Sequence, residues 1–153
     1  MLYFKTIDFP NYLTQSQVEA ALRKSAIKKT SFLDFKSSII DVNRNKDFLG
    51  FEGKRSLSFT RTKTSVEFLL PKLITNLSKE ELTTAYRIRL GVAPFCIFLV
   101  ISFAILIVLI SLINGINNLE AAVFFFTGAI IFLLLLALEL KITKSRVLKS
   151  IKK

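Results

Sequence analysis

The 153-residue chain has no histidine and no tryptophan, a single cysteine, three prolines and five glycines. Without histidine, the commonest general base and the commonest metal ligand are both missing. The lone Cys96 excludes an intramolecular disulfide and a metal site built on thiolates. Acids are scarce as well: 11 Asp and Glu stand against 22 Lys and Arg, a formal net charge of +11. Gly50 and Gly53 do not make a phosphate loop, and neither a Walker nor a dinucleotide pattern occurs. No serine-centred nucleophile elbow is present. Glu80 and Glu81 are sequence neighbours and read as a solvated turn. The expectation is a protein that is not an enzyme and uses no metal or cofactor.

What the chain does have is apolar length. Val92–Ile113 is an uncharged apolar run, Ala121–Leu138 is a second, and a short polar turn separates them. At the helical rise the first run spans roughly 33 Å, enough for a hydrocarbon core of about 30 Å. Buried helices of soluble proteins seldom stay apolar on every face for so long. The pair reads as a transmembrane hairpin with helices at about 92–113 and 121–140. Its few polar residues, Cys96, Ser102, Ser111 and Thr127, form no stripe, and no charge lies inside either run. A hydrated channel or proton relay is therefore not expected. Gly128 and Ala129 are small enough to let the two helices approach closely.

The positive charge is unevenly placed. The stretch after Leu140 carries Lys141, Lys144, Arg146, Lys149, Lys152 and Lys153 and no acid, while the turn 114–120 carries only Glu120. Basic flanks favour the cytoplasmic side. Both termini are thus expected in the cytoplasm of a bacterial cell, at the inner (plasma) membrane in a multi-pass arrangement. The N-terminal stretch reads as neither a signal peptide nor a lipidation box. Glu139, just past the second run, is expected at the inner interface, paired with the basic tail.

Residues 1–90 read as a small cytoplasmic α+β domain, 91–140 as the hairpin, and 141–153 as a basic cytoplasmic tail. The fold class is an α+β membrane protein: a small antiparallel sheet with one amphipathic helix, followed by the two-helix hairpin. The helix is expected over Thr14–Thr30. Thr14 and Gln17 have capping-box spacing, and Val18, Ala21, Leu22 and Ala26 make an apolar face. Arg23, Lys24, Lys28 and Lys29 suit a helix C-terminus or anionic headgroups. Met1–Asn11 reads as a strand or an interfacial segment, and Ser31–Ile40 as a strand. Further short strands are expected at Phe48–Phe51, Arg55–Thr62, Val66–Leu70, Leu73–Leu77 and Thr83–Leu90. Two of these alternate clearly. Leu57 and Phe59 share one face of the first, and Arg87 and Arg89 point the same way in the second. That last strand runs directly into Pro94, so Arg87 and Arg89 are expected at the membrane interface together with Lys141, Lys144, Arg146 and Lys149.

Asp41, Asn43, Asn45, Asp47 and Glu52 fall on positions 1, 3, 5, 7 and 12 of a calcium-loop template. Lys46 stands where that loop needs glycine, Arg44 adds positive charge, and a strand-like run follows where a helix belongs. A solvated turn is the better reading. Nucleic acid is not expected either, because membrane orientation already accounts for much of the charge.

The segments FEG, SFTRT, FLLP and TAYRIRLGVAPF, leading into a membrane helix, resemble a group of uncharacterised small bacterial inner-membrane proteins. In these an N-terminal β-rich domain precedes two transmembrane helices and a short charged tail. The layout is also loosely similar to bacterial membrane proteins carrying a pleckstrin-homology-like domain, in which the order of hairpin and β domain often differs. Both resemblances imply architecture and transfer no site residue. The functional expectation is a non-enzymatic inner-membrane protein whose cytoplasmic domain binds a protein partner, the anionic lipid surface or a second copy of itself. The alternatives are a membrane effector or immunity protein acting through oligomerised hairpins, and an accessory subunit of a transport complex.

Overall fold

A computed structural model describes residues 3–8, 14–29, 32–35, 46–79, 85–114 and 119–151. In chain order these form β1 (Tyr3–Asp8), α1 (Gln15–Ser25), β2 (Ala26–Lys29), a 3-10 turn at Leu33–Phe35, β3 (Phe48–Glu52), β4 (Ser56–Arg61), a second 3-10 turn at Ser65–Leu69, β5 (Leu73–Ser78), β6 (Ala85–Leu90), α2 (Val92–Ile113) and α3 (Leu119–Ile151). The strands make one six-stranded sheet in the order β1-β6-β5-β4-β3-β2.

The expected antiparallel sheet is in fact mixed, because β2 pairs with β3 in parallel. The cause lies at the end of α1. The Thr14 hydroxyl accepts the Gln17 N–H, and the Gln17 side chain accepts the Thr14 N–H at 3.0 Å, so the capping box forms as its spacing implies. The helix then stops at Ser25 rather than running to Thr30, and Ala26–Lys29 turns straight into a strand. β-branched Ile27 favours that change. Parallel neighbours need a long crossover, which the intervening 30–47 segment supplies. In place of the strand expected at Val66–Leu70, Ser65–Leu69 is a 3-10 turn. Of the strand expected over Ser31–Ile40, Leu33–Phe35 is a 3-10 turn, while residues 31 and 36–40 and the turn residues 41–45 lie outside the described residues.

Both faces of the sheet are covered. On one face Phe48, Leu57, Phe59, Leu73, Leu77, Tyr86 and Ile88 pack with Val18 and Leu22 of α1 and Val147 of α3. On the other, Leu49 and Ile74 pack with Leu33 of the first turn. α2 and α3 pack against each other and are both long and apolar enough to span a membrane.

The second of these helices does not end with its apolar run. α3 has 33 residues and extends about 50 Å. Beyond Leu140, where a basic tail is expected, it continues as an amphipathic helix lying on the sheet. Leu136, Leu140, Thr143, Val147 and Ile151 form a stripe at helical spacing, and Val147 is 1% exposed. The basic residues Lys141, Lys144 and Lys149 occupy the exposed side.

Candidate functional site: the charged root of the apolar helices

The strand register defines two ends of the sheet. β4 ends at Arg61, β5 begins at Leu73 beside Leu90, and β6 leads into α2. Gly91 joins the two, donating its N–H to the Lys72 carbonyl at 2.8 Å. This is the end from which the apolar helices emerge. Each face of the sheet carries a buried ion pair there.

On the face shared with α1 and α3, Arg61 follows Leu57 and Phe59 in the alternation of β4 and points into the same layer. Its Nε and Nη2 donate to the two carboxylate oxygens of Glu139 at 3.1 and 2.6 Å. Both side chains are 1% exposed. Nη1 donates to Glu67 of the second 3-10 turn at 2.7 Å, and that carboxylate also accepts the Thr64 N–H at 3.0 Å. Lys63 lies 3.8 Å from Glu139 and donates to the Leu70 carbonyl at 2.5 Å. Arg146, two turns beyond Glu139, reaches Asp47 and Glu67, each at 3.7 Å.

Electrostatics follow from this wiring. Burial disfavours the charged Arg61 guanidinium, but the hydrogen bonds to Glu139 and Glu67 outweigh it and its pKa lies above its ordinary value. Burial dominates at Lys63 and pushes its pKa down. Burial also opposes ionisation of Glu67, yet the Thr64 N–H and the Arg61 guanidinium hold its carboxyl below the ordinary range.

On the opposite face, Arg89 donates through Nη1 and Nη2 to both oxygens of Asp34, at 2.8 and 2.7 Å. Asp34 also accepts the backbone N–H of Val92, the first residue of α2, at 3.2 Å. The Arg89 hydrogen bonds hold the Asp34 carboxyl below its ordinary pKa. Lys72 donates to the Leu33 carbonyl beside it. A carboxylate at a helix N-terminus is favoured by the peptide dipoles, so Asp34 both neutralises Arg89 and caps α2.

Some expected interface residues stand elsewhere. Arg89 is buried in its pair with Asp34, because β6 has the Asp34 turn on the face where Arg89 points. Arg87, expected beside it, is exposed but stands nearer the far end of the sheet, opposite Asn76 of β5. Arg146 is half-buried in the charged cluster, whereas Lys141, Lys144 and Lys149 remain exposed. Glu139 pairs with the sheet rather than with the basic residues that follow it. Arg23, read as a helix-terminal cation, bridges Glu19 and Glu52 at 2.9 Å. Together with Lys79 it holds the Glu52 carboxyl down to about 2. That commits the last position of the calcium template to two cations, and Asp47 lies at the other end of β3. Among the described residues no group of three His, Cys, Asp or Glu comes together.

Glu139 and Asp34 each have both oxygens engaged by a guanidinium, so neither carboxyl is free to face a cleft. A depression beside Arg23, Gly50 and Phe59 holds about 110 Å³, well under the roughly 300 Å³ of ordinary small-molecule sites. What this arrangement does well is fasten. Gly128 takes no part in it: a side chain there would meet nothing within 4 Å, so it is not the point of close approach to α2. Comparison with protein-family models, with curated proteins and with solved structures finds no match.

Proposed function

We propose that the chain is a non-enzymatic, membrane-anchored binding module. The apolar pair crosses the bilayer. The sheet domain, held at the surface in a fixed orientation, binds a protein partner. The observation that carries this reading is the continuity of α3. One helix passes from an apolar run into the core of the sheet, and the Arg61–Glu139 pair fixes it at the transition. A flexible tether would suffice for an anchor alone, whereas a domain built onto its own spanning helix presents one defined surface to whatever meets it. The charge asymmetry supports a bacterial inner-membrane setting, with the sheet and the stretch after Leu140 in the cytoplasm and the turn near Asn117 outside. The likeness to small bacterial membrane proteins with a β-rich domain ahead of two spanning helices points the same way.

The test has two parts. A reporter placed after Lys153 should behave as cytoplasmic and one inserted at Asn117 as external; the reverse would overturn the orientation. Affinity capture of the full chain in gentle detergent, with mass spectrometry, should recover a partner that is lost when exposed residues of the sheet domain are changed. Recovery that instead depends only on the apolar pair would favour the reading in which oligomerised hairpins act.

A further inference from the structure

The connection between β4 and β5 carries an apolar surface that the fold does not use. In the turn Ser65–Leu69, Glu67 faces inward to Arg61, while Val66, Phe68 and Leu69 face outward. They are 87%, 60% and 66% exposed. Three large apolar side chains within four residues are costly in water unless something covers them. The location says what does. Glu67 shares Arg61 with Glu139, the residue that closes the apolar run of α3. Lys72, just beyond the turn, takes the N–H of Gly91, the cap of α2. The turn is therefore level with the points where both apolar helices leave their apolar stretch, on the same end of the sheet.

We propose that Val66, Phe68 and Leu69 insert into the lipid interface as a third membrane contact beside α2 and α3. The occupant of this surface is the bilayer itself, and the inference rests on the reading that α2 and α3 span it. The chemistry is that of an interfacial anchor, with apolar side chains directed into the acyl boundary and cations beside them at headgroup level. Lys141, three residues beyond the apolar run of α3, is exposed. The sheet and the helices fastened to it can still tilt in the bilayer as one body, and a contact away from the line joining the helices opposes that tilt.

The chain has no tryptophan, so single tryptophans report cleanly. The full chain is reconstituted in phosphatidylglycerol/phosphatidylcholine vesicles as four variants: Val66→Trp, Phe68→Trp, Phe126→Trp within α3, and Lys54→Trp at the far end of the sheet. Lipids brominated at shallow or deep acyl positions then quench by depth. We expect strong quenching of Phe126→Trp, shallow-lipid quenching with a blue-shifted emission for Val66→Trp and Phe68→Trp, and none for Lys54→Trp. Quenching of Phe126→Trp without quenching at positions 66 and 68 refutes the third contact and leaves the spanning helices standing. Absence of quenching in all four refutes the membrane reading and the inference with it. Using two turn positions guards against one that perturbs the fold.

Discussion

Replacing Glu139 by glutamine preserves the size of the side chain and removes its charge. In the native structure Arg61 is 1% exposed, and its guanidinium is shared between Glu139 and Glu67. After the change Glu67 remains and Glu139 does not, so a buried cation faces one partly exposed carboxylate, with buried Lys63 nearby. Breaking a buried pair by removing one partner costs roughly 3–5 kcal/mol. The surviving Glu67 bond puts Glu139→Gln at the lower end, about 3 kcal/mol. That is a large part of the total for a small domain, typically ~5–15 kcal/mol. The double replacement Arg61→Met with Glu139→Leu removes both charges and fills the space, and is expected to cost about 1 kcal/mol or less.

The assay is thermal unfolding of the full chain in a mild detergent, followed by circular dichroism of the sheet signal, for Glu139→Gln and for the double variant. By the usual scaling, ~3 kcal/mol lowers the midpoint by roughly 12–24 °C for a domain of this size. The double variant should recover most of that loss. A drop of under about 1 kcal/mol for Glu139→Gln, the value of an exposed pair, would refute the claim that the pair is buried and fastens α3 to the sheet.

Truncation after Leu140 tests the extension of α3. It removes Val147 from the core and opens the Val18–Leu22 layer, at a cost of about 3 kcal/mol in burial, and should give a loosened domain by near-ultraviolet circular dichroism; an unchanged spectrum would show that the extension does not complete the core. Acid stability follows from carboxyls held below their ordinary values. Asp34, with an ordinary value of 3.8, is lowered in the folded state by its hydrogen bonds to Arg89. Its stabilising contribution is complete above the unfolded value and is lost as pH falls through the folded one. Thermal midpoints should hold down to about pH 5 and fall below about pH 4, with a shallower fall in Asp34→Asn; an unchanged slope in that variant would locate the acid sensitivity elsewhere.

The two apolar runs, the capping box at Thr14 and the alternation of β4 were legible in the sequence because each is a local pattern. The end of α1 and two 3-10 turns are not legible in the same way. Leu33–Phe35 and Ser65–Leu69 lie in stretches of strand-like composition, but local propensity does not know that one holds Asp34 under Arg89 and the other holds Glu67 on Arg61. The parallel pairing of β2 depended on a strand starting inside an apparent helix, and β-branched Ile27 was the faint signal for it. The charged root is hidden for a different reason. Its partners are far apart in sequence: Arg61 and Glu139 are separated by 78 residues. Two signals were available all the same. Arg61 stands in the odd series with Leu57 and Phe59, an arginine on an apolar face. The spacing of Leu136, Leu140, Thr143, Val147 and Ile151 carries a helical stripe through what looks, by charge alone, like a solvated tail.

That stripe also separates the two halves of α3 by what fixes their rotation. Up to Leu138 the helix is apolar on every side, and turning it would exchange one apolar face for another. From Glu139 onward the faces differ, and Glu139 must meet Arg61 while Val147 meets the core. One inserted residue rotates everything beyond it by about 100°. An alanine inserted between Leu140 and Lys141 makes those two demands incompatible, since the helix can seat Glu139 or Val147 but not both. The same alanine between Leu133 and Leu134 leaves Glu139 and Val147 in mutual register and turns only the uniformly apolar half. The first insertion should lower the unfolding midpoint of the sheet domain by more than 10 °C, on the order of the ~2 kcal/mol lost with one buried side chain, and the second by only a few degrees. Equal effects at the two positions would mean that α3 is held by its apolar run, and that the charged root follows its setting instead of determining it.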